Sequence, residues 1–196
     1  MIKRIQQVPP RFKARIAGVL YLFSVATAIF AEVFVRGKLL YAVGLIPVLC
    51  FTVVTLLIYS IFRPVNRSVA LFAVLSNFVG LAFEALELHL KGVNAALVFH
   101  GFYCLLIGYL VFMSIFLPRI LGALMVFAGL GWLLTSLSSP LAHSLHPYSQ
   151  ALGFLGEGSL MLWLILMGVN ILKWKEKSNA GPQGIHSSLG SLSNSH

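Results

Sequence analysis

The sequence predicts an all-α fold: a polytopic transmembrane helix bundle of six spans with both termini on the cytoplasmic side. Three observations lead there. Of 196 residues, 59% are hydrophobic and only 10% charged, with a mean hydropathy of +0.92; a soluble domain carries about 25% charged residues. The apolar residues form long continuous runs instead of alternating with period two, and lipid admits only helices or closed barrels because every backbone polar group must be satisfied internally. The basic residues, which give a net charge of +9, fall mainly in the short connections between those runs.

Taken in order, residues 1–13 form a basic N-terminal segment, and the first span follows from Ala14 to Phe34. Its "ATA" could serve a signal peptidase, but the apolar run continues beyond it for a full span, so it reads as a retained helix. The other spans are expected at Leu39–Phe62, Ser68–Leu90, Val93–Phe116, Pro118–Ser138 and Ser149–Leu172. Each is close to the ~20 residues that cross a hydrocarbon core. Pro47 inside the second span either frees a carbonyl or kinks the helix. The connections are short, apart from "SSPLAHSLHPYS" before the sixth span. Residues 173–196 begin basic and become Gly/Ser/Asn-rich, the composition of a disordered tail. The three units are therefore 1–13, 14–172 and 173–196.

Lys and Arg set the orientation. Lys3, Arg4, Arg11, Lys13, Arg15, Arg63, Arg67, Arg119, Lys173, Lys175 and Lys177 share one side, against Arg36, Lys38 and Lys91 on the other. Eleven against three puts the termini inside, in a multi-pass protein of the inner (plasma) membrane. The same residues suit anionic lipid headgroups. Without aromatic-interleaved basic patches, the positive charge does not point to nucleic acid. Cys50 and Cys104 both lie in apolar runs and read as small buried hydrophobes. No cofactor is assigned, and self-association into a homo-oligomer stays open.

The acidic residues carry the functional question. Glu32, Glu84, Glu87 and Glu157 all fall toward the outer side, with His100 at similar depth; Glu84, His100 and Glu157 lie roughly 9–12 Å below the boundary. At 100° per residue, Ala73, Asn77, Gly80, Glu84 and Glu87 share one arc of the third helix, while His89 points away. His100, Cys104 and Gly108 share a face of the fourth, Tyr21 and Glu32 lie on a small-and-polar stripe of the first, and Gly153, Glu157 and Gly168 group on the sixth. Small residues allow close helix approach, so these faces should point inward. Gly122, Gly129 and Ser136 form a seam without an ionisable group and read as packing.

The stretches "ARIAGVLYL", "FAEVFVRGKL", "RPVNRS", "GFYCLLIGYLVFMSIFLPRILGALMVFAGLGWL" and "GEGSLMLWLILMGVN" resemble a bacterial six-helix membrane family, domain-of-unknown-function family 4386. The resemblance covers roughly residues 14–176 and implies an integral membrane protein without an assigned activity, so no catalytic residues are carried over. Only "RGK" and "KGVN" stand where members of that family have longer outer segments.

The candidate site is an outer-leaflet polar pocket of Glu84, His100, Glu157, Asn77, Glu87 and Glu32, since ionisable groups inside a membrane mark sites and pathways. It fits small-molecule or proton-coupled transport. The alternatives are an accessory or sensory protein with a purely structural polar cluster, and a membrane enzyme with an outer metal site. No catalytic residue is assigned. His143 and His146 form only an HxxH, a weak metal signal. No ExxH pair supports a bundle di-metal centre, and His100 has no evident deep partner for haem ligation.

Overall fold

The computed structural model describes residues 9–35, 38–86, 88, 92–137 and 140–179. Seven helices account for almost all of them: α1 Pro10–Phe34, α2 Lys38–Phe62, α3 Arg67–Ala85, α4 Ala95–Met113, α5 Arg119–Thr135, α6 Pro140–Leu166 and α7 Ile171–Asn179. Among the described residues there is no strand, only an isolated antiparallel bridge between Val93 and Leu137. Five helices contain stretches long and apolar enough to cross a membrane: Pro10–Ala31, Val43–Phe62, Arg67–Ala85, Ala95–Met113 and Ser144–Leu166. The remaining apolar helix, α5, has 17 residues, at the short end of the spanning range.

The helices form a ring in chain order. Each of α1 to α6 packs on its sequence neighbours, and α1 closes the ring against α6, with α7 touching α1. Large apolar side chains cover the outside, among them Phe23, Phe72, Phe127 and Leu155, whereas Asn77, Thr55 and Glu157 are buried. This partition is the reverse of a water-soluble domain's and suits lipid as the solvent.

Glycines bring backbones together where α5 meets its neighbours. A Cβ added to Gly129 would lie 2.7 Å from the Gly101 carbonyl oxygen, and one on Gly122 would lie 2.9 Å from that of Gly108. On the other flank a Cβ on Gly156 would overlap the Leu124 carbonyl oxygen. Lipid tails are as apolar as leucine, so dispersion across such close crossings supplies much of the association. The Gly122–Gly129 seam expected from the sequence is thus the α4–α5 contact.

Two boundaries differ most from the sequence expectation. The connection "SSPLAHSLHPYS" is largely helical: α6 starts at Pro140 and runs through Pro147. Its first turns are tied to α5 by the Ser149 and Thr135 hydroxyls, 2.7 Å apart, so tertiary contact offsets the proline's missing donor. At the other end, α6 stops at Leu166 instead of reaching Leu172. Gly168, at φ 68°, donates its N–H to the Trp163 carbonyl (3.0 Å), a left-handed helix stop that favours glycine. Gly168 therefore leaves the face assigned to it beside Gly153 and Glu157. Asn170 then accepts from Lys173 N–H (3.3 Å) and starts α7, which is anchored by the Trp174 indole N–H on the Ile61 carbonyl (2.9 Å).

Gly129→Leu should separate α4 from α5 and cost about 1–3 kcal/mol of stability, the usual range for overpacking. Gly158→Ala meets nothing within 4 Å and should leave the midpoint unchanged or raise it. Thermal unfolding in detergent compares the two.

Candidate functional site

Glu157 sits in the C-terminal half of the long helix α6 and is 6% exposed. One helical turn earlier, Gly153 has no side chain, and a Cβ there would come within 2.6 Å of the Trp132 ring. That gap lets the indole of α5 lie against α6 and donate its Nε1–H to Glu157 Oε1 at 2.6 Å. The same oxygen meets His100 Nε2 at 2.6 Å and accepts from the Cys104 thiol at 3.2 Å. His100 and Cys104 lie four residues apart on one face of α4. The other oxygen, Oε2, accepts from the Tyr21 hydroxyl of α1. One carboxylate thus takes donors from three other helices, which is how a charge removed from water is kept.

Hydrogen-bond direction fixes part of the protonation. The Thr55 hydroxyl donates to the Phe51 carbonyl at 2.8 Å, so its oxygen is the acceptor for Asn77 Nδ2–H at 2.6 Å. This orients the Asn77 amide with Oδ1 toward His100 Nδ1, 3.3 Å away. Only a protonated Nδ1 satisfies that contact. One further proton then lies between His100 Nε2 and Glu157 Oε1, and the pair is neutral overall on whichever atom that proton rests. Phe51 and Trp132 flank the imidazole, with ring centroids 5.5 and 5.8 Å from it. The resulting chain takes one or two residues from each of six helices: Tyr21, Thr55, Asn77, His100 with Cys104, Trp132 and Glu157.

A cavity of about 730 Å³ reaches this network from the end of the bundle that carries the α3–α4 connection. Tyr21, Asn77, His100, Trp132 and Glu157 contribute to its lining, together with Glu84, Leu88 and Asn94 from that end. Its size lies within the ~300–1,000 Å³ usual for small-molecule sites. Aromatic and aliphatic side chains make much of the wall, with the polar groups concentrated at the floor and mouth.

Of the residues singled out from the sequence, His100 and Glu157 are in direct contact, and Asn77 holds the far side of the imidazole. Glu84 lines the same cavity but is exposed, and among the described residues its carboxylate makes no hydrogen bond. The side chain of Glu32 and the whole of Glu87 lie outside the described residues, as do His89 and the side chain of His143. Sequence reasoning missed Trp132, Thr55 and the polar roles of Tyr21 and Cys104. Trp132 stands three residues after Gly129 and four before Ser136, so the α5 seam itself was the signal. Tyr21 and Cys104 already lay on inward stripes.

Four of the network residues, His100, Cys104, Trp132 and Glu157, fall in one continuous part of the chain together with Glu84. Residues 81–168 match the family model described as Domain of unknown function (DUF4386). The DUF4386 stretch therefore supplies the carboxylate, the imidazole, the thiol and the indole, while Tyr21, Thr55 and Asn77 come from helices ahead of it. No curated protein and no solved structure matches the chain significantly. It is a membrane protein in which this one stretch is similar to DUF4386, and that family description carries no activity.

Glu157→Gln removes one partner of a buried pair and should cost about 3–5 kcal/mol, seen as a lower thermal midpoint. Glu84→Gln, at the exposed mouth, should leave the midpoint within the scatter of repeat melts.

Proposed function

We propose that the protein binds a small molecule in this cavity from the outer leaflet and couples its movement to the proton held between His100 and Glu157. The observation that carries the reading is the cavity itself, which leads from the helix ends to an ionisable pair in the bundle interior. Intramembrane pairs of this kind line proton and substrate pathways, and a histidine–carboxylate pair that gives up its shared proton turns net negative, a charge that an entering cation offsets. Glu84 at the mouth and the aromatic walls favour a small organic cation with an apolar body. In this reading the α3–α4 connection faces outward, both termini face the cytoplasm of a cell with an inner (plasma) membrane, and the basic residues around α1 and α7 meet anionic headgroups. Glu32 and Glu87, grouped with this pocket on the sequence alone, are further acidic candidates in this reading.

One observation favours a second reading, a structural cluster in an accessory protein: both Glu157 oxygens already accept hydrogen bonds from neighbouring helices. The two readings differ in what Glu157 does beyond stability. In proteoliposomes enclosing a pH-sensitive dye, a panel of small organic cations added outside should produce proton flux with the unmodified protein. Ala28→Phe, which fills the cavity wall, should block that flux. Glu157→Gln should abolish it even at temperatures where the variant remains folded. Equal flux in the unmodified protein and Glu157→Gln would leave the structural reading standing.

A further inference from the structure

We propose that His100, Cys104 and Glu157 form a binding site for a borderline-soft divalent cation of the zinc class. This goes beyond the transport reading and does not depend on it. His100 Nε2, Cys104 Sγ and Glu157 Oε1 lie within 4.8 Å of one another: nitrogen to oxygen 2.6 Å, sulfur to oxygen 3.2 Å and sulfur to nitrogen 3.8 Å. Tetrahedral zinc, with bonds of ~2.0–2.3 Å, sets neighbouring donors roughly 3.3–3.6 Å apart. The two sulfur separations already fall within a few tenths of an ångström of that range. The nitrogen–oxygen pair would open by less than ~1 Å as the ion replaced the proton between them.

Charge argues the same way. Before binding, the thiol is neutral and the imidazole–carboxylate pair is neutral as a unit. A divalent ion displaces the thiol proton and the shared proton, leaving a thiolate, a carboxylate, a neutral imidazole and the cation. Two protons leave as two positive charges enter, so the buried charge stays at zero. That balance matters in a low-dielectric interior, where net charge is costly.

The surrounding groups are also placed as metal sites require. Asn77 holds the Nδ1–H of His100 and thereby presents Nε2 as the ligand atom. Tyr21 holds the carboxylate by its other oxygen, and Trp132 donates to the ligating one. The cavity reaches both His100 and Glu157, giving the ion a way in from the bundle end and leaving a fourth position for water or a solute, as in open zinc sites.

Cobalt(II), a spectroscopic substitute for zinc, tests this on full-length protein stripped with a chelator in detergent. One ion should bind per chain, with a thiolate-to-cobalt charge-transfer band and release of two protons to an indicator dye. Cys104→Ala should lose the band and Cys50→Ser should keep it. Zinc should also shield Cys104 of the unmodified protein from alkylation, a readout that needs no variant. A band that survives in Cys104→Ala, or alkylation of Cys104 at the same rate with and without zinc, would overturn the site. Failure here with cation-driven proton flux intact would leave the transport reading untouched, and the reverse result would leave the metal site standing alone.

Discussion

The bundle is organised around a single buried carboxylate. Glu157 sits among lipid-facing helices where an uncompensated charge is not sustainable, and it is kept by donors from α1, α4 and α5. Satisfying it requires four side chains from three helices to arrive within hydrogen-bond reach of two oxygens. Other features follow from that requirement. Gly153 is small because the indole must lie flat on α6; Asn77 is turned toward His100 because Thr55 has already committed its proton to the backbone. The α4–α5 glycine crossing brings His100 and Trp132 close enough to share one oxygen.

Apolar contact alone would specify this arrangement poorly, because in lipid a leucine gains little by exchanging a lipid tail for another leucine. Close glycine crossings supply attraction but tolerate sliding and rotation. The polar chain from Thr55 to Tyr21 removes that freedom, since one residue of rotation in a helix carries its donor away by about 100°. Packing brings the helices together, and the hydrogen bonds select the register.

Much of this could be read in the sequence, for definite reasons. Continuous apolar runs marked the helices, and helical angle put Asn77, His100 and Glu157 on inward faces because small residues accompanied them. What escaped were groups whose polarity is concealed by apolar mass. Trp132 and Tyr21 count as hydrophobic in any hydropathy sum, yet each carries one N–H or O–H that a buried acceptor can claim. Cys104 was read as a small hydrophobe, and Thr55 was one of a few hydroxyls, with Thr52 and Ser60, scattered through an apolar run. Glu84 was grouped with His100 and Glu157 on approximate depth and helical angle, and together these do not distinguish a cavity mouth from its floor. The early start of α6 and its stop at Gly168 escaped because Pro147 looked like a loop residue and Gly168 like a packing residue.

The ring closes between its first helix and its sixth, and this gives the chain a direction in time. As the chain is delivered from its N terminus, Tyr21, Thr55, Asn77, His100, Cys104 and Trp132 reach the bilayer before Glu157 has been made. Each of these can wait there uncharged. The carboxylate buried deepest arrives last, when every donor it needs has already been synthesised, so the order of the sequence spares the nascent protein a Glu157 without its partners.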